Sequence, residues 1–506
     1  MTVWTLVRRS LRFHARAHLG VVLGAVVGSA ALVGALVVGD SVRGSLRDMA
    51  LARVGNVDVA LFGGDRFFRD ALEFSATSMQ SAPVLQVSGS ATLPEGSGRA
   101  NHVQVLGIDG RLKQIQPSAP EFAGEGPDEV VLNSALAAHL QAKAGDTILL
   151  RVQKPSALSR EAPISSQQDF SVALRLTVQS IASDEHFGRF ELKASQLPPF
   201  NAFVPLKLLR QKLELPNRAN LLLVRGVTAE KAQSLLRERW QIADAELELR
   251  NLADGIELRS KRVFIDPPIA ETSQSVFTNS SGILTYFVNE LRVGNKTTPY
   301  SMVTGANAPL LPNDMRDDEI VINQWLADDL QAKAGDSLQL SYFVLGTTRR
   351  LQEKQNSFRI RAVVPLQSPY ADRELMPEFP GLAKAESTEN WDAGFPIQMS
   401  KIRPKDEKYW KDYRGTPKAF VTLAAAQQMW ANRFGNLTAI RFADSKVTTS
   451  DIANALMRAL DPARLGLVFQ PVRAQALAAS SEAEDFGQLF LGFSFFLILA
   501  ALILMG

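Results

Sequence analysis

The side chains best suited to chemistry in this sequence are its five histidines, His14, His18, His102, His139 and His186. A zinc site or a histidine base needs them to converge at helical or hairpin spacing, as in H-E-x-x-H. Here they are scattered, and two stand beside the N-terminal apolar stretch. The chain has no cysteine, which removes thiolate nucleophiles, thiolate metal ligands and disulfides. It has no G-x-x-x-x-G-K-[ST] phosphate loop, so any ATP hydrolysis would belong to a partner. The G-x-S-x-G elbow is missing too, although Gly282 and Gly294 lie in a serine-rich neighbourhood. No enzyme activity, cofactor or metal is expected. The net charge is only +3, and basic residues do not gather into a patch interleaved with aromatics, so nucleic acid is not an expected partner.

The remaining charged and amide side chains are best explained by a repeat. Asp128 to Leu150, DEVVLNSALAAHLQAKAGDTILL, aligns without gaps on Asp318 to Leu340, DEIVINQWLADDLQAKAGDSLQL, with 14 of 23 positions identical. A match that dense over varied residue types means duplication. Each copy reads strand, helix, strand. Asn133 and Asn323 are placed to cap the helix, Gly145 and Gly335 to end it in a left-handed conformation, and Asp146 and Asp336 to turn the chain into the next strand. A second pair supports the duplication: Ala202-Phe203-Val204 recurs as Ala419-Phe420-Val421, and Asn220-Leu221 is matched by Asn436-Leu437. The repeats run over 43–252 and 256–484, and sequence alone does not say whether they are tandem lobes or exchange strands. The second carries an insertion, Gln367 to Pro417, whose aromatics Tyr370, Phe379, Trp391, Phe395, Tyr409 and Trp410 make it the candidate partner surface.

Apolar segments flank this α+β region. Leu19 to Gly39 contains no charge, and at about 1.5 Å per residue it reaches roughly 30 Å, the hydrocarbon thickness of a bilayer. Arg8, Arg9, Arg12 and Arg16 precede it with no acidic residue, which points the N-terminus to the cytoplasm. Residues 1–18 read as an interfacial amphipathic helix. Gly20, Gly24 and Gly28 recur every four residues, a flat stripe open to another helix. Residues 489–506 begin a second apolar span without a basic flank, so the chain reads as the front part of a longer polypeptide. The expected fold class is a membrane protein whose transmembrane helices flank a large, duplicated extracytoplasmic α+β domain.

The basic interfacial helix, the span, the exit GDSVRGSLRDMALARVGNVDVALF (Gly39 to Phe62), the DEVVLN…LQAKAGD unit and the returning DFGQLFLGFSFFLILAALILMG together resemble FtsX/MacB-type permeases of ABC transporters, over the whole chain. The resemblance implies a bacterial inner-membrane permease subunit whose partners are an ABC ATPase, the lipid bilayer, and further transmembrane helices or a second permease, with the substrate unspecified. It also implies that Arg43 and Arg47 sit where a helical lever joins the exported domain. The alternative is a membrane-anchored extracytoplasmic binding or sensory protein that uses no ATPase.

Overall fold

The computed structural model describes residues 2–72, 79–94, 98–122, 128–155, 171–193, 195, 197–346, 350–395, 397–443 and 447–482, together with 492, 495, 496 and 499. The second apolar segment, 489–506, therefore lies almost wholly outside the described residues. Helix α1 (Val3–Phe13) is exposed throughout and meets α2 (Ala15–Val54) at His14. Positions 31, 32 and 35 inside the apolar stretch of α2 have side chains outside the described set. Among the described residues no helix is long and apolar enough to cross a membrane.

Two nine-stranded sheets follow. In the first, the order is β20 (Phe469–Gln470), β1 (Val59–Phe62), β10 (Leu221–Arg225), β3 (Gln80–Thr92), β4 (Arg99–Ile108), β8 (Asn201–Pro205), β5 (Glu129–Asn133), β7 (Ser171–Ala182) and β6 (Thr147–Gln153). In the second it is β11 (Leu247–Leu252), β12 (Gly255–Ser260), β19 (Ala439–Phe442), β13 (Ser280–Val293), β14 (Lys296–Ala306), β18 (Ala419–Thr422), β15 (Glu319–Asn323), β17 (Leu351–Val364) and β16 (Ser337–Leu345). β6 also pairs with β3, and β16 with β13, so six strands of each sheet close into a barrel. Closure removes the free edges that a long open sheet would expose. A two-strand pair, β2 (Phe68–Arg69) with β9 (Arg218–Ala219), lies beside the first sheet.

The repeats prove to exchange strands. β11 ends the first repeat in sequence, yet it pairs with β12 of the second sheet, while β20, which ends the second repeat, pairs with β1 of the first. Helix α6 (Ala229–Arg239) of the first repeat follows the same crossing: Gln233 Nε2 donates to Leu467 O at 3.0 Å, and its Oε1 accepts from Phe469 N at 3.0 Å. Apolar residues of both repeats merge into one buried cluster that includes Leu61, Leu236, Leu258 and Phe469. The 252/256 boundary thus falls on the tight turn between β11 and β12.

Inside each barrel the duplicated unit folds alike. Asn133 Oδ1 accepts from Leu136 N at 3.0 Å at the start of α4 (Ser134–Leu140), and Asn323 Oδ1 accepts from Leu326 N at 2.8 Å at the start of α8 (Gln324–Leu330). The left-handed residue that ends each helix is Gln141 or Gln331, not Gly145 or Gly335. The glycines lie four residues further on, at φ 93° and 96°, and donate to Val178 O and Ile360 O across the sheet. Asp146 and Asp336 accept from Lys143 N and Lys333 N, closing the turn. The Asn220 match also shifts. Asn220 Oδ1 accepts from Gln86 N at 2.8 Å, and its counterpart in the second lobe is Thr438, whose Oγ1 accepts from Thr285 N at 3.0 Å. The chain between Ala-Phe-Val and β19 is longer by one residue in the second copy, and matching by type placed Asn436 two positions before the true counterpart.

Candidate functional site

The feature that could transmit work is the base of the first lobe, where α2 enters and α12 (Val472–Glu482) leaves. From the apolar stretch to Val54, α2 is one uninterrupted helix. Among its described side chains from 21 to 53 the less exposed positions are Gly24, Gly28, Gly39, Val42, Leu46, Ala50, Leu51 and Arg53. Steps of three, four and eleven residues keep all of these but Leu51 on one helical face. Gly20, by contrast, is exposed with open space around it. Gly39 is buried and was not singled out in the sequence because it breaks the four-residue period of the glycine stripe. α12 packs against α2.

The helix ends at Gly55 (φ 60°), whose N–H donates to Leu51 O at 2.8 Å. A Cβ there would come within 2.9 Å of the Phe187 ring, so glycine is required by space as well as by conformation. Phe187 stacks on Phe190 with centroids 4.5 Å apart. Arg53, 7% exposed, donates from Nη1 to Lys193 O at 2.7 Å, and its backbone O accepts from Glu191 N at 3.3 Å. Burial pushes the Arg53 guanidinium below its usual value, Glu191 pulls it back up and Arg189 lowers it further. Burial likewise raises the Glu191 carboxyl against the pull of Arg53 and Lys193. Arg53 Nε is buried and has no hydrogen-bond partner among the described residues. On the outgoing side, Arg473 Nη1 donates to Gly55 O at 2.9 Å and Arg473 N to Asp58 O at 3.3 Å. Arg473 thus fastens the outgoing helix to the short link, Gly55 to Asp58, that follows α2, while Arg53 ties the end of α2 to the lobe at Glu191 and Lys193.

Arg43 and Arg47 lie on exposed helix well short of this joint. The sequence signal for the joint was Gly55 after a long helical run, with Arg53 in its last turn. Arg8, Arg9, Arg12 and Arg16 are exposed on the first two helices. The histidines are not gathered: His186 Nδ1 lies 2.7 Å from Ser183 Oγ, and His139 Nε2 lies 3.1 Å from Arg99 O.

The insertion aromatics belong to the second lobe's core rather than to an open surface. Phe379, Phe395, Tyr409 and Trp410 are 0%, 6%, 4% and 4% exposed. Trp391 meets Phe287 at 5.5 Å and Trp410 at 4.8 Å, and Tyr370 meets Phe420 at 5.5 Å. Tyr409 Oη accepts from Asn323 Nδ2 at 3.1 Å, and Trp410 Nε1 donates to Ala385 O at 3.0 Å. Large rings spaced through a proline-rich segment look exposed when no period assigns them a face; here they seal that segment onto the barrel.

Residues 19–239 match the model of the MacB-like periplasmic core domain. Among solved structures, the periplasmic region of MacB from Actinobacillus actinomycetemcomitans is 12% identical, covering 37% of this chain and 84% of that one, with a TM-score of 0.25. The extracellular domain of the noncanonic ABC-type transporter YknZ from Gram-positive bacteria is 11% identical, covering 36% and 88%, with a TM-score of 0.24. A domain of a putative permease from Porphyromonas gingivalis is 14% identical, covering 42% and 76%, with a TM-score of 0.22. No curated protein matches the chain.

Proposed function

We propose that the chain, whose residues 19–239 match the model of the MacB-like periplasmic core domain, is a permease of the MacB/FtsX type and is the membrane subunit that couples a partner ABC ATPase to an exported, strand-exchanged pair of lobes. In this reading Leu19 to Gly39 crosses the bacterial inner membrane with its basic N-terminal flank in the cytoplasm, and the region 489–506 begins the return. The carrying observation is α2 itself: one continuous helix from Ala15 to Val54 that ends fastened, with α12, to the first lobe. At about 1.5 Å per residue it is roughly 60 Å long, enough to traverse a bilayer and still reach beyond the headgroups. A helix without a hinge passes displacement at its cytoplasmic end to the lobe as a lever does. ATP binding by the partner would supply that displacement.

The less exposed face of α2, with Gly24, Gly28 and Gly39, is the surface on which a further helix of the same or a second permease would pack. Gly24→Leu should abolish co-purification with the P-loop ATPase in mild detergent, with the melting temperature of the lobes unchanged. If the wild-type chain brings down no ATPase, and Gly24→Leu behaves as wild type, the chain is instead a membrane-anchored binding or sensory protein.

A further inference from the structure

The two lobes treat one place on their sheets differently. Val59 faces Val224 as Ile256 faces Phe442, and Leu85 faces Gly107 as Leu284 faces Gly305, so Val57 corresponds to Asp254 and Leu112 to Leu310. By the same registers Leu223 corresponds to Arg441 and Ala60 to Glu257. In the first lobe Val57, Ala60, Leu112, Phe187, Leu223 and Val472 fill the position as one buried cluster. In the second lobe the same position is a cleft of about 230 Å³ walled by Ile256, Ile283, Leu310 and Phe442, with Asp254 on its rim and Arg441 in its side.

The size and charge of the cleft define an occupant. An apolar cavity of roughly 150 Å³ is enough to hold a benzene ring, and the first lobe seals its version with the Phe187 ring. Arg441 is clamped by Glu257 at 2.8 Å and Asp372 at 2.6 Å, and Glu257 also holds Arg259. Glu374 joins Arg259 to Arg250, which also pairs with Glu248 and Glu378, so with Asp254 six carboxylates stand against three guanidiniums among the described residues of this network, and the surplus negative charge favours a cation at the mouth. We propose that this cleft is a docking site for an exported protein partner that inserts an aromatic side chain and sets a basic residue against Asp254. The cleft lies on the lobe to which neither α2 nor α12 is fastened, so, on the coupling function proposed above, a partner held there rides on the moving body without obstructing either helix.

The test uses the full chain in nanodiscs and the peptide acetyl-Gly-Phe-Gly-Arg-amide, its Phe ring fluorinated for NMR detection. The expected result is saturable binding, lost in Leu310→Trp, which fills the cleft from a half-exposed position, and weakened roughly tenfold in Asp254→Lys, an exposed site that leaves the core untouched. Absence of saturable binding overturns the proposal, as does equal affinity for the peptide with Glu in place of Arg. Displacement of the peptide by lauric acid, with tighter binding of the acid, overturns it in favour of an acyl-chain site.

Discussion

Lys418 stands where the first lobe has Asn201, immediately before the repeated Ala-Phe-Val. Asn201 spends its amide on Gly188 O and Phe190 O at 3.0 and 2.8 Å. The Lys418 ammonium instead lies over Trp325 and Tyr409, 4.3 and 4.7 Å from their ring centroids, and burial pushes it down to about 8 against the pull of Asp406 and Asp329. Between about 8 and its ordinary value the unfolded chain binds more protons than the folded one, so stability rises with pH over that window. Lys418→Met should melt a few degrees higher at neutral pH and lose that rise, read by calorimetry from pH 7 to 10. The helix caps behave oppositely. Asn133 also donates to Gly188 O and Pro199 O, so Asn133→Ala should cost about 2 kcal/mol or more in denaturant titration. The capping asparagines were legible because an N-cap is a local device. Arg53 was not: its partners Lys193 and Glu191 lie far along the sequence, and only the folded lobe brings them to the end of α2.

At the scale of elements, the duplicated strand–helix–strand unit could be read from identity alone, while the insertion could not. Its helix α9 (Pro404–Tyr413) carries Glu407, which accepts from Thr388 N at 3.0 Å and Thr388 Oγ1 at 2.5 Å. Burial opposes this carboxylate, but the Thr388 hydroxyl and amide, with Lys411 and Ser387, hold it down at about 2. Because the folded value is depressed, its contribution is present above the ordinary carboxylate range and is lost as pH falls from about 4.5 towards 2. Glu407→Gln should remove on the order of 1 kcal/mol of acid sensitivity in that window, a modest figure because the group is partly solvated. Far-UV circular dichroism against pH, compared with wild type, measures it. The long helix α2 was legible as an apolar stretch, but its run to Val54 was not, because Asp40 to Asp48 carries charges that read equally as a loop.

Across the whole molecule, reciprocal exchange of β11 and β20 makes the lobes one mechanical body. No sequence period records which sheet a terminal strand joins, since either edge offers the same backbone ladder. Phe469 on β20 is 3% exposed in the shared core, and Phe469→Ala should cost about 3–5 kcal/mol while lowering the melting of both lobes together. Two separate calorimetric transitions would show that the lobes unfold independently.

The coupling claim is tested most directly by moving the lever. Because the chain has no cysteine, Lys354→Cys on the exposed part of β17 can carry a single dye, with acceptors on the lipid headgroups of a nanodisc that also holds the co-purified ATPase. The account predicts a shift in energy transfer when a non-hydrolysable ATP analogue binds. It also predicts that Arg47→Pro, which breaks α2 between membrane and lobe, abolishes the shift while the ATPase stays bound. A shift that survives Arg47→Pro, or a wild-type complex that shows none, would contradict it.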